Sequence, residues 1–202
     1  MRALEPHSPL VRVTHWANAV CFAALLVSGV AVLLVHPRLY WGEAGTLGSP
    51  SLVDLPLPFV NLGQNGWGRS LHFLSAWVYV LVGAIYLGAG LRSGHVRREL
   101  LSAHGAHAYS PLQRQTYFAV VALLAPMMIW TGLAMSPAVT ATAPILVTVI
   151  GGQQSARTIH FAAACLLALF VAGHVMMVAV SGFRVRMRGM ITGRRTLNAE
   201  RA

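Results

Sequence analysis

The sequence predicts an all-α integral membrane protein, a four-transmembrane-helix bundle with both termini on the cytoplasmic side (N-in/C-in). Three observations carry that expectation. The 202 residues are 56% hydrophobic and only 10% charged, against about 25% charged in soluble domains. Four apolar runs each reach the length of about 20 residues that a helix needs to cross a bilayer. Arginine is distributed very unequally among the segments that separate those runs.

The first run, about 11–36, contains WANAVCFAALLVSGVAVLLV. It is too long for the apolar core of a signal peptide, and no small-x-small cleavage site follows it, so it reads as a span. The segment from His36 to Gly68 is rich in Gly and Pro and carries Tyr40, Trp41 and Trp67. Such a loop suits an interface or a docking surface. The second run covers about 69–92. The connection after it includes SGHVRRELL, expected as a short amphipathic helix on the membrane surface. The third run covers about 114–137, and Pro126 within it is tolerable in a membrane helix, with a kink. The apolar piece Ala138 to Ile150 is short and interrupted by Pro144, so it is expected as a loop or interfacial segment. The fourth run covers about 157–181. The basic tail beyond Ser181 is expected to contact anionic membrane lipid. The whole chain, 1–202, then forms one membrane domain.

Orientation follows from arginine, which stays on the cytoplasmic side. Twelve arginines precede the first run, separate the second from the third, or follow the fourth; only Arg38, Arg69 and Arg157 lie on the other side. The net charge of +10 therefore reads as membrane topology rather than as nucleic-acid binding. Cys21 and Cys165 sit in apolar runs with no CxxC or CxxCH pattern, which excludes a paired-cysteine metal site and covalent haem attachment.

The chemistry lies in histidine. Arg12-Val-Thr-His15, Arg69-Ser-Leu-His72 and Arg157-Thr-Ile-His160 repeat one pattern, and His174 lies deep in the fourth run. Residues three apart share a helix face one turn apart. In each repeat the arginine lies on the watery side and the histidine just inside. By depth, His72 pairs with His160 near the outer face, and His15 with His174 near the inner face. The fourteen residues between His160 and His174 correspond to about 21 Å of rise and about 40° short of whole turns, so both project to nearly the same side. Zinc takes four ligands, or three and water; two imidazoles at each depth suit a six-coordinate haem iron. Haem propionates are anionic, and an arginine one turn outside the ligand is placed to pair with them. Arg69 and Arg157 would serve the outer group and Arg12 the inner. Gly29 and Gly132 follow Ser28 and Thr131 in the outer halves of their runs, where a small residue lets a porphyrin face, or another helix, approach. The methionines Met127, Met128, Met135, Met176 and Met177 read as packing, and His7, His36, His95, His104 and His107 as residues of the surface and polar loops.

At these residues the chain resembles the bacterial b-type cytochrome subunits grouped with cytochrome b561, nickel-hydrogenase cytochrome b and formate dehydrogenase membrane subunits. The resemblance rests on RVTHWANAVCFAALLVSG, RSLHF, YSPLQRQTYFAVVALLAPMMIWTGLAMS and RTIHF with GHV, and covers nearly the whole chain. It implies two haems b, ligated by His15, His72, His160 and His174, in a four-helix bundle of the bacterial inner membrane. It implies electron transfer between membrane quinone and a catalytic partner outside. The stretches HPRLYWGEAG and SGHVRREL resemble the branch whose partner is a periplasmic molybdopterin oxidoreductase. In formate dehydrogenase relatives, quinone sits near an Asn in a Tyr/Phe-Asn-x-x-Gln motif. Here the stretch is Tyr109-Ser110-Pro111-Leu112-Gln113, with Ser110 in place of Asn and Gln113 retained; Asn18, near His15, is another polar contact for quinone.

Two rival readings remain open at this point. A stand-alone oxidoreductase of the b561 type would pass electrons from a small reductant or superoxide to quinone, and would purify without an outer subunit. A transporter or sensor using histidine as a proton switch would bind no haem; the lack of Asp and Glu in the runs and of paired broken helices argues against it. No catalytic nucleophile or acid–base pair is visible, so substrate chemistry belongs to a partner. A homodimer is compatible with the sequence.

Overall fold

The computed structural model describes residues 8–45, 48–57, 64–94 and 111–193. Helix α1 (Pro9–Val35) starts where Ser8 Oγ accepts the Val11 N–H and Pro9 supplies a preset first turn. Pro37, which disfavours helical geometry at the residue before it, follows its end. Strands β1 (Arg38–Leu39) and β2 (Val53–Asp54) pair antiparallel, with Arg38 opposite Asp54 and Leu39 opposite Val53. Helix α2 (Gln64–Arg92) returns across the membrane.

The third crossing is composite. Helix α3 (Pro111–Ala119) passes through a π-helical turn, Val120–Leu124, into α4 (Ala125–Ala134). Pro126 explains the turn. Its missing N–H and its ring would disrupt an unbroken α-helix, and the wider turn, closed by the Ala125 N–H on the Val120 carbonyl, absorbs the mismatch. The stretch expected as a loop or interfacial segment contains two one-turn helices, α5 (Pro137–Thr140) and α6 (Ile145–Thr148), each begun at a proline. They close the outer end: Val147 packs with Ala134 and Ala156, against Met135 and Ile150, and Trp130 Nε1–H donates to the Leu146 carbonyl at 3.0 Å. Helix α7 (Gln153–Val180) makes the fourth crossing, and Gly182 in left-handed geometry turns the chain into α8 (Phe183–Thr192). The SGHVRREL stretch beyond Gly94 and the tail beyond Gly193 lie outside the described residues, as do His7, His95, His104 and His107.

Four helices, Pro9–Val35, Gly66–Arg92, Gln115–Ala134 and Gln153–Val180, are long and apolar enough to cross a membrane. Helix α1 packs along α2, and α4 along α7. Burial is inverted relative to a soluble fold. Val20, Leu74, Leu169, Met176 and Val180 are exposed, whereas the largest fully buried side chains are Thr131, Ser28 and Ser155.

The outer loop straps down the start of α7. The Gly42 carbonyl accepts the Gln154 and Ser155 N–H groups at 3.0 and 3.3 Å, and the Gly42 N–H donates to Ser155 Oγ at 2.9 Å. Thr158 Oγ1 donates to the Tyr40 carbonyl at 2.6 Å, and Arg157 donates to the His36 carbonyl. At the inner end, Arg12 Nη1 and Trp16 Nε1 on α1 donate to the Ile191 and Met190 carbonyls of α8 at 3.0 and 3.2 Å. These carbonyls lack helical partners at a helix C-terminus, so α1 side chains cap α8.

Candidate functional site

The four long helices bring the four histidines into two pairs. His72 on α2 faces His160 on α7, with ring centres 6.2 Å apart and planes at 60°. His15 on α1 faces His174 on α7, with ring centres 6.3 Å apart and planes at 56°. Two imidazoles bonded through Nε2 to one metal ion at about 2.0 Å each place their ring centres about 6.3 Å apart. Both pairs therefore have the spacing of two axial ligands on a single iron. No cluster of three or more His, Cys, Asp or Glu suited to a metal ion occurs among the described residues, so the donor sets fit a haem, which needs only two protein ligands, and not a bare zinc ion.

The outer pair is held from behind. Ser28 Oγ lies 3.0 Å from His72 Nδ1, and Thr131 Oγ1 lies 2.8 Å from His160 Nδ1. Each hydroxyl also donates one turn back, to the Ala24 and Met127 carbonyls, at 2.7 Å. A hydroxyl has one hydrogen; with that hydrogen on the helix carbonyl, the hydroxyl meets the imidazole as an acceptor and the ring proton sits on Nδ1. Nε2 is left with a free lone pair. The residues next in sequence are Gly29 and Gly132, and a methyl group on either would sit 3.7 Å from Cε1 of His72 or His160. Gly68 lets α2 approach α1 at the same level, where an added Cβ would fall 3.1 Å from that of Ala31.

The inner pair has aromatic neighbours. Tyr117 Oη on α3 lies 3.4 Å from His174 Nδ1. Phe170, one turn away, stacks on His174 with ring centres 6.2 Å apart and meets Tyr117 edge-on. Trp16 meets His15 edge-on at 5.5 Å. Among the described residues, Asn18 Oδ1 and Arg12 Nε are buried without a hydrogen-bond partner.

The arginines divide. Arg12 and Arg157 each hold a backbone carbonyl, of Ile191 and His36, while Arg69 is exposed at the outer end of α2. His36 lies just past the end of α1; partial burial, and then the Arg157 charge, hold its imidazole below the ordinary histidine range. Ser110 lies outside the described residues. Gln113 lies in the first turn of α3, with its side chain outside the description. Sequence reasoning passed over Ser28, Thr131 and Tyr117. The signal for the first two was present: a hydroxyl followed by glycine occurs in the outer half of both the first and the third run.

A model of the prokaryotic cytochrome b561 family matches residues 6–193. A relative from Azospira oryzae, named "Putative protein-methionine-sulfoxide reductase subunit YedZ1", is 29% identical over 196 residues, covering 86% of this chain and 90% of its own. No solved structure matches the chain significantly.

Proposed function

The chain belongs to the prokaryotic cytochrome b561 family, and on that premise we propose that it binds two haems b, one near each membrane face, and connects a quinone pool to a periplasmic oxidoreductase. Membership carries the coarser part directly: a multi-pass inner-membrane protein of a b-type cytochrome family, engaged in transmembrane electron transfer. The observation that supports the finer reading is the repeat of one geometry at two depths, facing imidazoles with ring centres 6.2 and 6.3 Å apart.

In this reading His72 and His160 hold the outer haem, and His15 and His174 the inner. Haem b supplies a one-electron couple, with a potential set by axial ligands, burial and nearby charge. The chain's own residues bind, orient and exclude water. Ser28 and Thr131 fix the proton of the outer imidazoles on Nδ1, so that Nε2 faces the iron. Gly29 and Gly132 keep the space beside those rings free of side chains. Arg12, with Nε unpartnered, offers a hydrogen bond to an inner propionate while its Nη1 holds α8. Arg69 and Arg157 lie at the outer rim, placed to balance outer propionate charge. Asn18 Oδ1, buried without a partner one turn from His15, is an acceptor for a quinol hydroxyl at the inner face. The outer loop, strapped to α7 within two turns of His160, presents Trp41, exposed, to a partner. The named relative is a reductase subunit, and the HPRLYWGEAG stretch resembles the branch with a molybdopterin-containing partner.

The test is a reduced-minus-oxidised visible spectrum of the purified chain with haem quantified per polypeptide. The reading expects two haems b, falling to one in each of His160→Ala and His15→Ala. One haem in the wild type would reduce it to a single-site cytochrome, and none in a folded chain would remove it.

A further inference from the structure

We propose that Ser28 and Thr131 are positioning residues that tune the outer haem and leave the inner one alone, an inference that rests on the dihaem reading above. The two contacts repeat in the two packed helix pairs, α1 with α2 and α4 with α7. Ser28 on α1 reaches His72 on the neighbouring α2 at 3.0 Å, and Thr131 on α4 reaches His160 on the neighbouring α7 at 2.8 Å. Both side chains are completely buried, so no water competes for either bond. Both hydroxyl hydrogens are committed to carbonyls one turn back at 2.7 Å. The oxygen is then an obligate acceptor toward Nδ1–H.

An acceptor behind the far nitrogen makes the imidazole a stronger electron donor at Nε2. It favours the more positive, oxidised iron, and so lowers the potential of the outer couple. Both outer ligands carry such a bond. On the inner side the corresponding contact to His174 is a tyrosine oxygen at 3.4 Å, at the outer limit of a hydrogen bond. Ser28 and Thr131 thus act on the outer couple through its two imidazoles.

The experiment is a potentiometric titration of the full-chain holoprotein, followed in the visible haem bands, with haem counted in each sample. Substitution by Ser28→Ala or Thr131→Val removes the hydroxyl acceptor, leaving the Leu25 or Met128 carbonyl near the ring, and the second nearly conserves volume. Ser28→Thr and Thr131→Ser keep it. The expected result is one haem of the two titrating more easily to the reduced form. At the wild-type midpoint its reduced-to-oxidised ratio rises about three- to tenfold in each acceptor-lacking variant, the worth of one buried hydrogen bond. It rises further in the double variant, and the hydroxyl-keeping swaps stay at the wild-type value. Loss of the outer haem in Ser28→Ala, with retention in Ser28→Thr, also supports the assignment. Haem retained at unmoved potentials, or both haems shifting equally, overturns it. A wild-type chain without haem refutes the dihaem reading on which it rests, and is told apart from those outcomes before any variant is made.

Discussion

Replacing Gly152 by alanine would test whether the outer strap holds α7 in place. Gly152 sits at φ +109, and a Cβ there would fall 2.4 Å from the Gly42 oxygen, 2.5 Å from its carbon and 2.7 Å from the Glu43 nitrogen. These are backbone atoms, which cannot rotate away. That backbone, positive φ with extended ψ (169), alone costs about 1–3 kcal/mol for a residue with a side chain. Relieving the overlap pushes Gly42 off α7, which endangers three hydrogen bonds: Gln154 and Ser155 N–H to the Gly42 carbonyl, and Gly42 N–H to Ser155 Oγ. At about 0.5–1.5 kcal/mol each the bonds contribute about 1.5–4.5 kcal/mol, and with the backbone strain the total loss is about 2.5–7.5 kcal/mol. For a chain of this size that corresponds to a fall in Tm of about 5–30 °C. Two controls separate the causes. Gly182→Ala also has a positive φ, +99, but in left-handed helical geometry (ψ 61, against ψ 169 at Gly152) and with nothing within 4 Å; it should lose only a milder backbone strain. Gly48→Ala meets nothing and has no positive φ, and should be neutral. The assay is thermal unfolding in one detergent, with limited proteolysis of the outer loop alongside. If Gly152→Ala melts with Gly182→Ala, the strap contributes nothing and the reasoning fails.

Three further outcomes are expected. Gly132→Ala, whose methyl makes ordinary contact with His160 at 3.7 Å, should keep wild-type haem content. Gly132→Leu overpacks the same site at a cost of about 1–3 kcal/mol and should weaken the outer haem about ten- to a hundredfold, read by haem titration into the apoprotein. Asn18→Ala should raise the KM for a water-soluble quinol about three- to tenfold, the worth of one lost hydrogen bond, with the haem spectrum unchanged; an unaltered KM places quinol elsewhere. His36 is neutral when folded and its protonation is disfavoured there. The unfolded chain therefore binds the extra proton first, and stability should fall as pH drops below the ordinary histidine range near 6.5. His36→Asn should flatten that part of the Tm-versus-pH curve.

Much of this was legible in the sequence, because the signals were large. A helix needs about 20 apolar residues to span a bilayer, and four runs supply them. Histidine is expensive in such a run, so four of them at matched depths point to a shared purpose. The fourteen-residue spacing of His160 and His174 placed both on one side of one helix before any coordinates. What escaped was set by the third dimension. Nothing local marks the Gly42 carbonyl as the cap of a helix more than a hundred residues later, nor the Ile191 carbonyl as the partner of Arg12. The π-turn was half legible: Pro126 announced a disturbance, but whether the chain kinks or widens depends on what packs on either side. The two one-turn helices inside the 138–150 segment, expected as a loop or interfacial segment, were not legible because four-residue helices leave no periodicity to read; their prolines were the trace.

The placement of Ser28 and Thr131 follows from the bilayer acting as solvent. In water, burial sorts apolar side chains inward, and a buried serine needs an explanation. In lipid the outside is as apolar as any core, so leucine gains little by turning inward. Polar groups gain most, because each finds its hydrogen-bond partner only within the protein. Among the described residues, the largest fully buried side chains are accordingly hydroxyls. Two of them spend their one hydrogen on their own helix and their oxygen on a histidine of the neighbouring one. Those bonds join α1 to α2 and α4 to α7, the same two pairs that pack together. The contacts that assemble each half of the bundle are thus also the contacts that orient its outer imidazole, and a change at either hydroxyl should be felt in stability and in haem chemistry together.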